Sequence, residues 1–436
     1  MIARLLTRFR RSDADLKEIV RGSAIAFGVK ILAAGSTFAM NVVIARQLGA
    51  TEAGLFFLAY TIVLVAAAIG RIGLDNTFVR FIASYHANNE WAEINGLYRT
   101  GIRWAFLTSL GIAGLLWVLA EPLASAVFGK PAFADVLRVM AWGIPLMALF
   151  TLHARALQGL KRIPQAMFVL SAAAPLTLLA LALVTSPSNA TASGWLFVAA
   201  TVGTLSLGRY WWKQLPETLG DRKRTERREL LASCLPLLAV VALNQTATWS
   251  SQIMLGAWSS SADVAVFNAA QRTAMLTSFV LVAVNSIAAP KFAAMYRMGE
   301  HDALRRTAQN ATRLMILLAL GPLALMLTLP DWILSLFGEE FSRGATALQI
   351  LAIGQFINVA TGSVGFLLSM TGHERLLRNN VLAAAAVALA LGAGLIPSFG
   401  LLGAAVATAC GIATQNLLSI WQVHRALGFN TLAGWK

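Results

Sequence analysis

Apolar runs of about twenty residues recur along this chain, almost free of charge, and they restrict its fold more than any other feature. A twenty-residue helix is about 30 Å long, the thickness of a bilayer's hydrocarbon core, and satisfies its own backbone hydrogen bonds. Twelve such runs are read, at roughly 22–46, 54–79, 102–121, 136–157, 163–186, 192–212, 231–256, 264–289, 311–330, 344–371, 377–396 and 400–423. The fourth and tenth are the least uniform. Clusters such as "QLGATEAG", "SPSNATASG", "SSSAD" and "IPSFG" divide them as tight turns. The runs are too long for barrel strands and lack their alternation. Charged residues make up 13% of the 436, against about 25% in soluble domains. The expected class is an all-α integral membrane protein.

Charge sets the expected orientation. With the N-terminus in the cytoplasm, 28 of the 35 lysines and arginines fall on the inner side. Arg46, Lys130, Arg138 and Arg343 fall outside, and Lys30, Arg71 and Arg272 lie within spans. This bias predicts that both termini are cytoplasmic. It also explains the net charge of +15 by proximity to anionic lipid headgroups, without nucleic acid as a partner. Cys234 and Cys410 lie in apolar runs and read as small core residues. The first 21 residues lack the short apolar region and small-residue site of a cleavable signal, so the first run is expected to stay in the protein.

Sliding the chain by 211 residues sets "KEIV" (17–20) on "RELL" (228–231), Phe56 on Phe267, "ASYH" on "AMYR" and "LRVMAWG" (137–143) on "LQILAIG" (348–354). Two homologous six-helix bundles are therefore expected, over 22–212 and 231–425, joined by a basic cytoplasmic linker at 213–230 and followed by a tail at 426–436. In such an arrangement the cargo site lies between the bundles near the midplane. Residues 1–21 are expected to hold a short amphipathic helix, capped near Ser12 to Asp15 ("SDAD").

Enzymatic motifs are absent. The chain has no GxSxG elbow, no GxxxxGK[ST] phosphate loop and no HExxH, and His86, His153, His301, His373 and His424 show no ligand spacing. They read as interfacial or loop histidines. Neither a metal nor a cofactor is expected. Asn189-Ala190-Thr191 fits a glycosylation sequon, a pattern short enough to arise by chance.

Charges inside the runs are the informative exceptions. Arg71 and Asp75 lie four residues apart in the second run and would share a helix face. Arg272 lies in the eighth run, with no acidic neighbour within a turn or two, and Lys30 lies in the first. Each costs on the order of 2.5–3.5 kcal/mol at a helix centre, so such residues face a bundle interior or a watery cavity. The bland alternatives are a structural Arg71–Asp75 pair and a snorkelling Lys30.

The stretch "LGATEAGLFFLAYTIVLVAAAIGRIGLDNTFVRFIASY" resembles the first two helices of the polysaccharide transporter (oligosaccharide flippase) family, relatives of the multidrug and toxin extrusion exporters. "FNAAQRTAMLTSFVLVAVNSIAAPKFAAMYRMGE" (267–300) and "FGEEFSRGATALQILAIGQFINVATGSVGFLLSMTGHE" (337–374) resemble its second half. The resemblance implies a V-shaped, two-bundle transporter of the bacterial inner membrane. It would move undecaprenyl-pyrophosphate-linked oligosaccharides to the periplasmic leaflet for O-antigen, capsule or exopolysaccharide assembly, in company with membrane lipids and a glycan polymerase or export machinery. Such a cargo is anionic and polar, and arginine grips phosphate bidentately. Arg71, Arg272, Lys30, Arg46 and Arg80 are the expected pyrophosphate contacts. Asn41, Asn268, Gln271, Asn285, Gln355 and Asn358 are candidates for sugar hydroxyls, or for hydrogen bonds that join helices. Asp75 is the candidate for binding a coupling H⁺ or Na⁺. The rival function is a cation-coupled multidrug exporter, and a membrane glycosyltransferase or polymerase is disfavoured by the lack of large loops.

Overall fold

The computed structural model describes residues 2–215, 220, 223 and 227–432. Among them there is no strand. The helices are α1 (Ile2–Gly70), α2 (Leu74–Ala87), α3 (Trp91–Pro122), α4 (Phe133–Ala141), α5 (Gly143–Gly159), α6 (Ile163–Met167), α7 (Ala173–Thr185) and α8 (Ala190–Lys213). A second set follows: α9 (Arg227–Trp258), α10 (Ser261–Met275), α11 (Phe279–Arg297), α12 (His301–Thr328), α13 (Pro330–Ser335), α14 (Ala345–Ala360), α15 (Val364–Met370) and α16 (Glu374–Leu427).

Among the described residues seven helices are long and apolar enough to cross a membrane, or eight if the pair Glu339–Ala360 and Val364–Met370, bent by 40°, is one span. Twelve separate runs were expected. Two of the seven, Gly28–Gly70 and Glu374–Leu427, have 43 and 54 residues, about 65 and 80 Å at 1.5 Å per residue. Each is far longer than one crossing requires. Each also contains one non-helical residue, Gly49 (φ 69°, ψ 170°) or Gly400 (φ 49°, ψ −119°). Glycine takes these positive φ values without steric cost, so each long helix is two rods that reverse at a glycine. The fourth run is also divided, into α4 and α5 at Trp142, and the tenth is broken between α14 and α15.

The second run breaks at a turn that was not expected. Helix α1 ends at Gly70, the chain turns through Ile72 (φ 46°) and Gly73 (φ 77°), and α2 restarts at Leu74. Arg71 and Asp75 therefore do not lie on one continuous helix, as expected, but on either side of a turn. A β-branched residue in the left-handed region is strained, and Gly73 explains why the strain is held. A Cβ on Gly73 would lie 2.3 Å from the Cys234 carbonyl oxygen and 2.8 Å from the Leu238 nitrogen. The turn is pressed onto the backbone of α9.

Other expectations meet the backbone directly. Helix α1 begins at Ile2, so the backbone of Ser12 to Asp15 lies inside a helix rather than at its start. Half of the 213–230 linker lies outside the described residues; Lys223 is described, and its backbone N–H donates to Ala92 O at 2.9 Å. Asn189 of the sequon-like triplet caps α8, accepting from the Ala192 N–H at 2.8 Å. Phe56 and Phe267, matched by the 211-residue shift, are both fully buried in one apolar cluster. Gly143 and Gly354, matched by the same shift, each admit a neighbouring helix: Phe197 of α8 against the first and Ala409 of α16 against the second. Small residues that let backbones approach are how helices pack where lipid removes the hydrophobic drive.

Candidate functional site

The second part of α1 lies against α10, and the contact is so close that a Cβ on Gly54 would fall 1.8 Å from the Ser261 carbonyl oxygen. Helix α10 starts from a capping box in which Ser260 and Asp263 satisfy each other's backbone N–H groups. It ends at Met275 in a 3₁₀ turn, Leu276–Ser278. Arg272 projects just before that turn. Beneath it lies a cavity of about 350 Å³ between the first and second sets, lined by Lys30, Thr37 and Phe38 of α1, Ser171, and Arg272 and Ser278 among others. No carboxylate is among its lining residues.

Arg272 is held there by an aromatic face. Its Cζ lies 5.0 Å from the centroid of Trp249 on α9, a contact worth about 0.5–2 kcal/mol. Its Nε is buried without a hydrogen-bond partner, and no ion pair reaches it among the described residues. A guanidinium so placed lacks the anion that would complete it. Lys30, half-buried on the first rod of α1, adds a second positive charge to the same wall.

The other expected cations lie elsewhere. Arg71 is paired: Nε lies 2.8 and 3.0 Å from the two Asp75 carboxylate oxygens, and Nη1 donates to Ala67 O at 3.0 Å. The two side chains are only 13% and 12% exposed. Arg155 on α5 is close enough to feel both charges, and donates to Gln158 at 2.9 Å. Arg46 is exposed and donates to Leu336 O at 2.7 Å. Arg80 is exposed and lies over the Phe81 ring at 4.9 Å. Of the five, Lys30 and Arg272 line the cavity.

The amide candidates divide in a similar way. Asn41 donates to Thr37 O of its own helix at 2.7 Å. Asn268 reaches Gln252 at 3.5 Å, and the buried Gln271 leaves its Oε1 unpartnered. Asn285 accepts from Ser363, and Gln355 accepts from Ser278. Asn358 lies 3.4 Å from Ser278 and 3.5 Å from Gln355. Apart from Asn41–Thr37 and Asn358–Gln355, these contacts join separate elements, and the Ser278–Gln355–Asn358 group ends at the cavity wall. Residues unmarked in the sequence include Trp249, Arg155 and Gln252. His153 is buried and not interfacial; its Nδ1–H meets Leu149 O at 2.7 Å and its Nε2 accepts from the Tyr98 hydroxyl at 2.8 Å. No group of ligating side chains among the described residues could hold a metal ion.

The chain is all-helical among the described residues, with a charged cavity between two helical sets, and its fold is that of solved transporters of the MOP superfamily. A likeness to the lipid II flippase MurJ in an inward closed conformation has a TM-score of 0.75 at 12% identity, over 93% of this chain and 87% of that one. An inward-facing multidrug resistance MATE family transporter matches with a TM-score of 0.73 at 14% identity, over 93% and 98% of the two chains. A MOP superfamily transporter from Pyrococcus furiosus gives 0.68 at 15% identity, over 94% and 95%. At these identities the likeness speaks for the fold. The chain belongs to the polysaccharide biosynthesis protein family, whose model matches residues 19–296. A MatE model matches residues 236–387. An uncharacterized membrane protein from Methanocaldococcus jannaschii is 27% identical over 163 residues, which is 37% of this chain and 32% of that relative. The chain thus spans about a third of that relative's length.

Proposed function

We propose that the protein is a flippase that carries a lipid-pyrophosphate-linked oligosaccharide across the bacterial inner membrane, from the cytoplasmic to the periplasmic leaflet, for O-antigen, capsule or exopolysaccharide assembly. The observation that carries this reading is the half-buried Arg272, whose Nε is buried without a hydrogen-bond partner among the described residues, in a cavity also lined by Lys30 and by no carboxylate. A guanidinium fork and an ammonium suit the oxygens of a pyrophosphate. A cationic drug would meet two like charges there, and for that reason the MATE-type alternative ranks second. About 350 Å³ holds the pyrophosphate and its first sugars rather than a whole glycan. Counting the rods on either side of Gly49 and Gly400 separately raises the seven or eight crossing helices among the described residues to nine or ten, and we read the whole chain as twelve spans in two six-helix bundles with both termini cytoplasmic, a reading supported by the excess of inner-side lysine and arginine.

The test is reconstitution. Proteoliposomes containing the protein should move a fluorescent undecaprenyl-pyrophosphate oligosaccharide between leaflets, and Arg272→Ala should stop it while the protein remains folded. Uptake of a cationic dye with no movement of the glycolipid would overturn the reading in favour of multidrug export.

A further inference from the structure

The end of the molecule opposite the termini brings together the turns at Gly49, Lys130, Ser259, Glu340 and Gly400. Two charged side chains cross between the helical sets there. Lys130 lies in the turn that joins α3 to α4. Its Nζ donates to Phe128 O in its own turn at 3.0 Å, and to Gly256 O and Ser259 O (the latter at 2.8 Å) of the second set. Those carbonyls end α9, the negative end of its dipole. Glu340 lies in the 3₁₀ turn Glu339–Gly344, between α13 and α14. Its Oε1 accepts from the Ala50 N–H of the first set, the amide that opens the second rod of α1, at the positive end of that dipole. A Cβ on Gly49 would lie 3.2 Å from the same oxygen.

The two contacts mirror each other. Lys130 and Glu340 are 210 residues apart, within one residue of the shift that aligns the two sets. Each comes from the turn after the third span of its own set and reaches the first hairpin of the other. The cation takes carbonyls and the anion takes an amide, so each charge matches the helix end it meets. Neither side chain has an ion-pair partner among the described residues, so separation of the sets leaves both helix ends uncapped.

We infer that Lys130 and Glu340 form a paired latch that closes the outer end of the transport path, and that release of both contacts is a required step of outward opening. Arg46, donating to Leu336 O, and the Gly54–Ser261 contact close the same end. The inference rests on the transport reading above, but the closure is measured without cargo, so the two fail separately.

The experiment places Thr37→Cys in the cavity wall, in protein lacking Cys234 and Cys410, and follows its labelling by a membrane-impermeant maleimide. The reagent is added on the side from which Ser188→Cys, in the exposed turn between α7 and α8, reacts. Lys130→Ala and Glu340→Gln should each raise the labelling rate about five- to tenfold, as expected for loss of a charged helix cap, and the double variant should exceed either. Lys130→Arg, which still donates to carbonyls, should label at the parental rate. Lys130→Cys joined to Ser259→Cys by oxidation should label more slowly than the parent until reductant is added. Parental rates in both single variants, or an equal rise in Lys130→Arg, would overturn the latch. If the cargo proves to be a cationic drug, the labelling results still decide the latch alone.

Discussion

The guanidinium of Arg272 stands 5.0 Å from the centroid of the Trp249 ring, and its Nε has no hydrogen-bond partner among the described residues. The aromatic face steadies the cation without neutralising it, which leaves the charge free for a ligand. Arg272→Ala should abolish export of the cell-surface glycan, and Arg272→Lys should restore part of it, because lysine keeps the charge but loses the fork. Trp249→Leu should weaken transport about two- to thirtyfold, given a cation–π contribution of about 0.5–2 kcal/mol. Export assays in a strain lacking the native copy, with membrane levels checked by immunoblot, measure this. Normal export from Arg272→Ala would remove the cavity from the mechanism.

The Arg71–Asp75 pair predicts a different pattern. Breaking one side of a nearly buried pair leaves a lone charge, at a cost of about 3–5 kcal/mol, whereas removing both can be close to neutral. Arg71→Ala should therefore lower the amount of folded protein, and Arg71→Ala with Asp75→Ala should recover it. An Asp75 so paired is a poor coupling site. Outward movement of two uncompensated negative charges gains about 4–5 kcal/mol at 100 mV, and Asp75→Asn should retain potential-driven flipping. Flipping at clamped zero potential that runs on a Na⁺ or H⁺ gradient and vanishes in Asp75→Asn would make Asp75 the coupling residue instead.

Gly73→Ala should be among the more damaging small substitutions. It combines a left-handed φ of 77° with a Cβ placed 2.3 Å from the Cys234 carbonyl oxygen. The backbone strain alone costs about 1–3 kcal/mol, and α2 must also lift from α9. Thermal unfolding in detergent, compared with Gly111→Ala where nothing lies within 4 Å of the new Cβ, reads this. Equal melting temperatures would show that the turn can yield.

Glu93 and Lys223 give a pH signature outside the membrane. Their hydrogen bond, at 3.0 Å, holds the Glu93 carboxyl below its ordinary value of 4.5 and pushes the Lys223 ammonium above its ordinary 10.5. A lowered carboxyl contributes above its unfolded pKa and is lost as pH falls through its folded value. A raised ammonium contributes below its unfolded pKa and is lost as pH rises through its folded value. The tether is therefore at full strength between about pH 4.5 and 10.5 and weakens beyond both limits. Proteolysis near residue 223 should be slow in that window and faster in acid. In Glu93→Gln it should be fast throughout, and added salt should speed the parent because Lys223 is exposed and Glu93 partly so. A parent indifferent to acid would show that another contact holds the segment.

The sequence exposed those parts of the site that announce themselves by cost. Lys30 and Arg272 stood out because a charge in an apolar run is expensive, and both line the cavity. Trp249 did not stand out, since tryptophan is at home in any apolar helix and only the fold brings residue 249 over residue 272. The break at Ile72 was hidden for a related reason. Isoleucine is no turn former, and its left-handed backbone is set by the close approach of Gly73 to α9, a contact between distant parts of the chain. The amides were ambiguous because the same groups bind sugars and join helices. Two pairs of the twelve runs became single helices because glycines at 49 and 400 reverse the chain with so little interruption.

Those abrupt reversals have a cost for whatever works outside the cell membrane. At Gly49 and Gly400 the chain turns back on single residues, and α9 passes to α10 through only Ser259 and Ser260. On the proposed function, that face offers almost no ectodomain to grip. A glycan polymerase collecting the delivered lipid would have to come alongside within the bilayer and recognise the flanks of helices, so that handover becomes a matter of lateral diffusion in the leaflet rather than of docking from the periplasm.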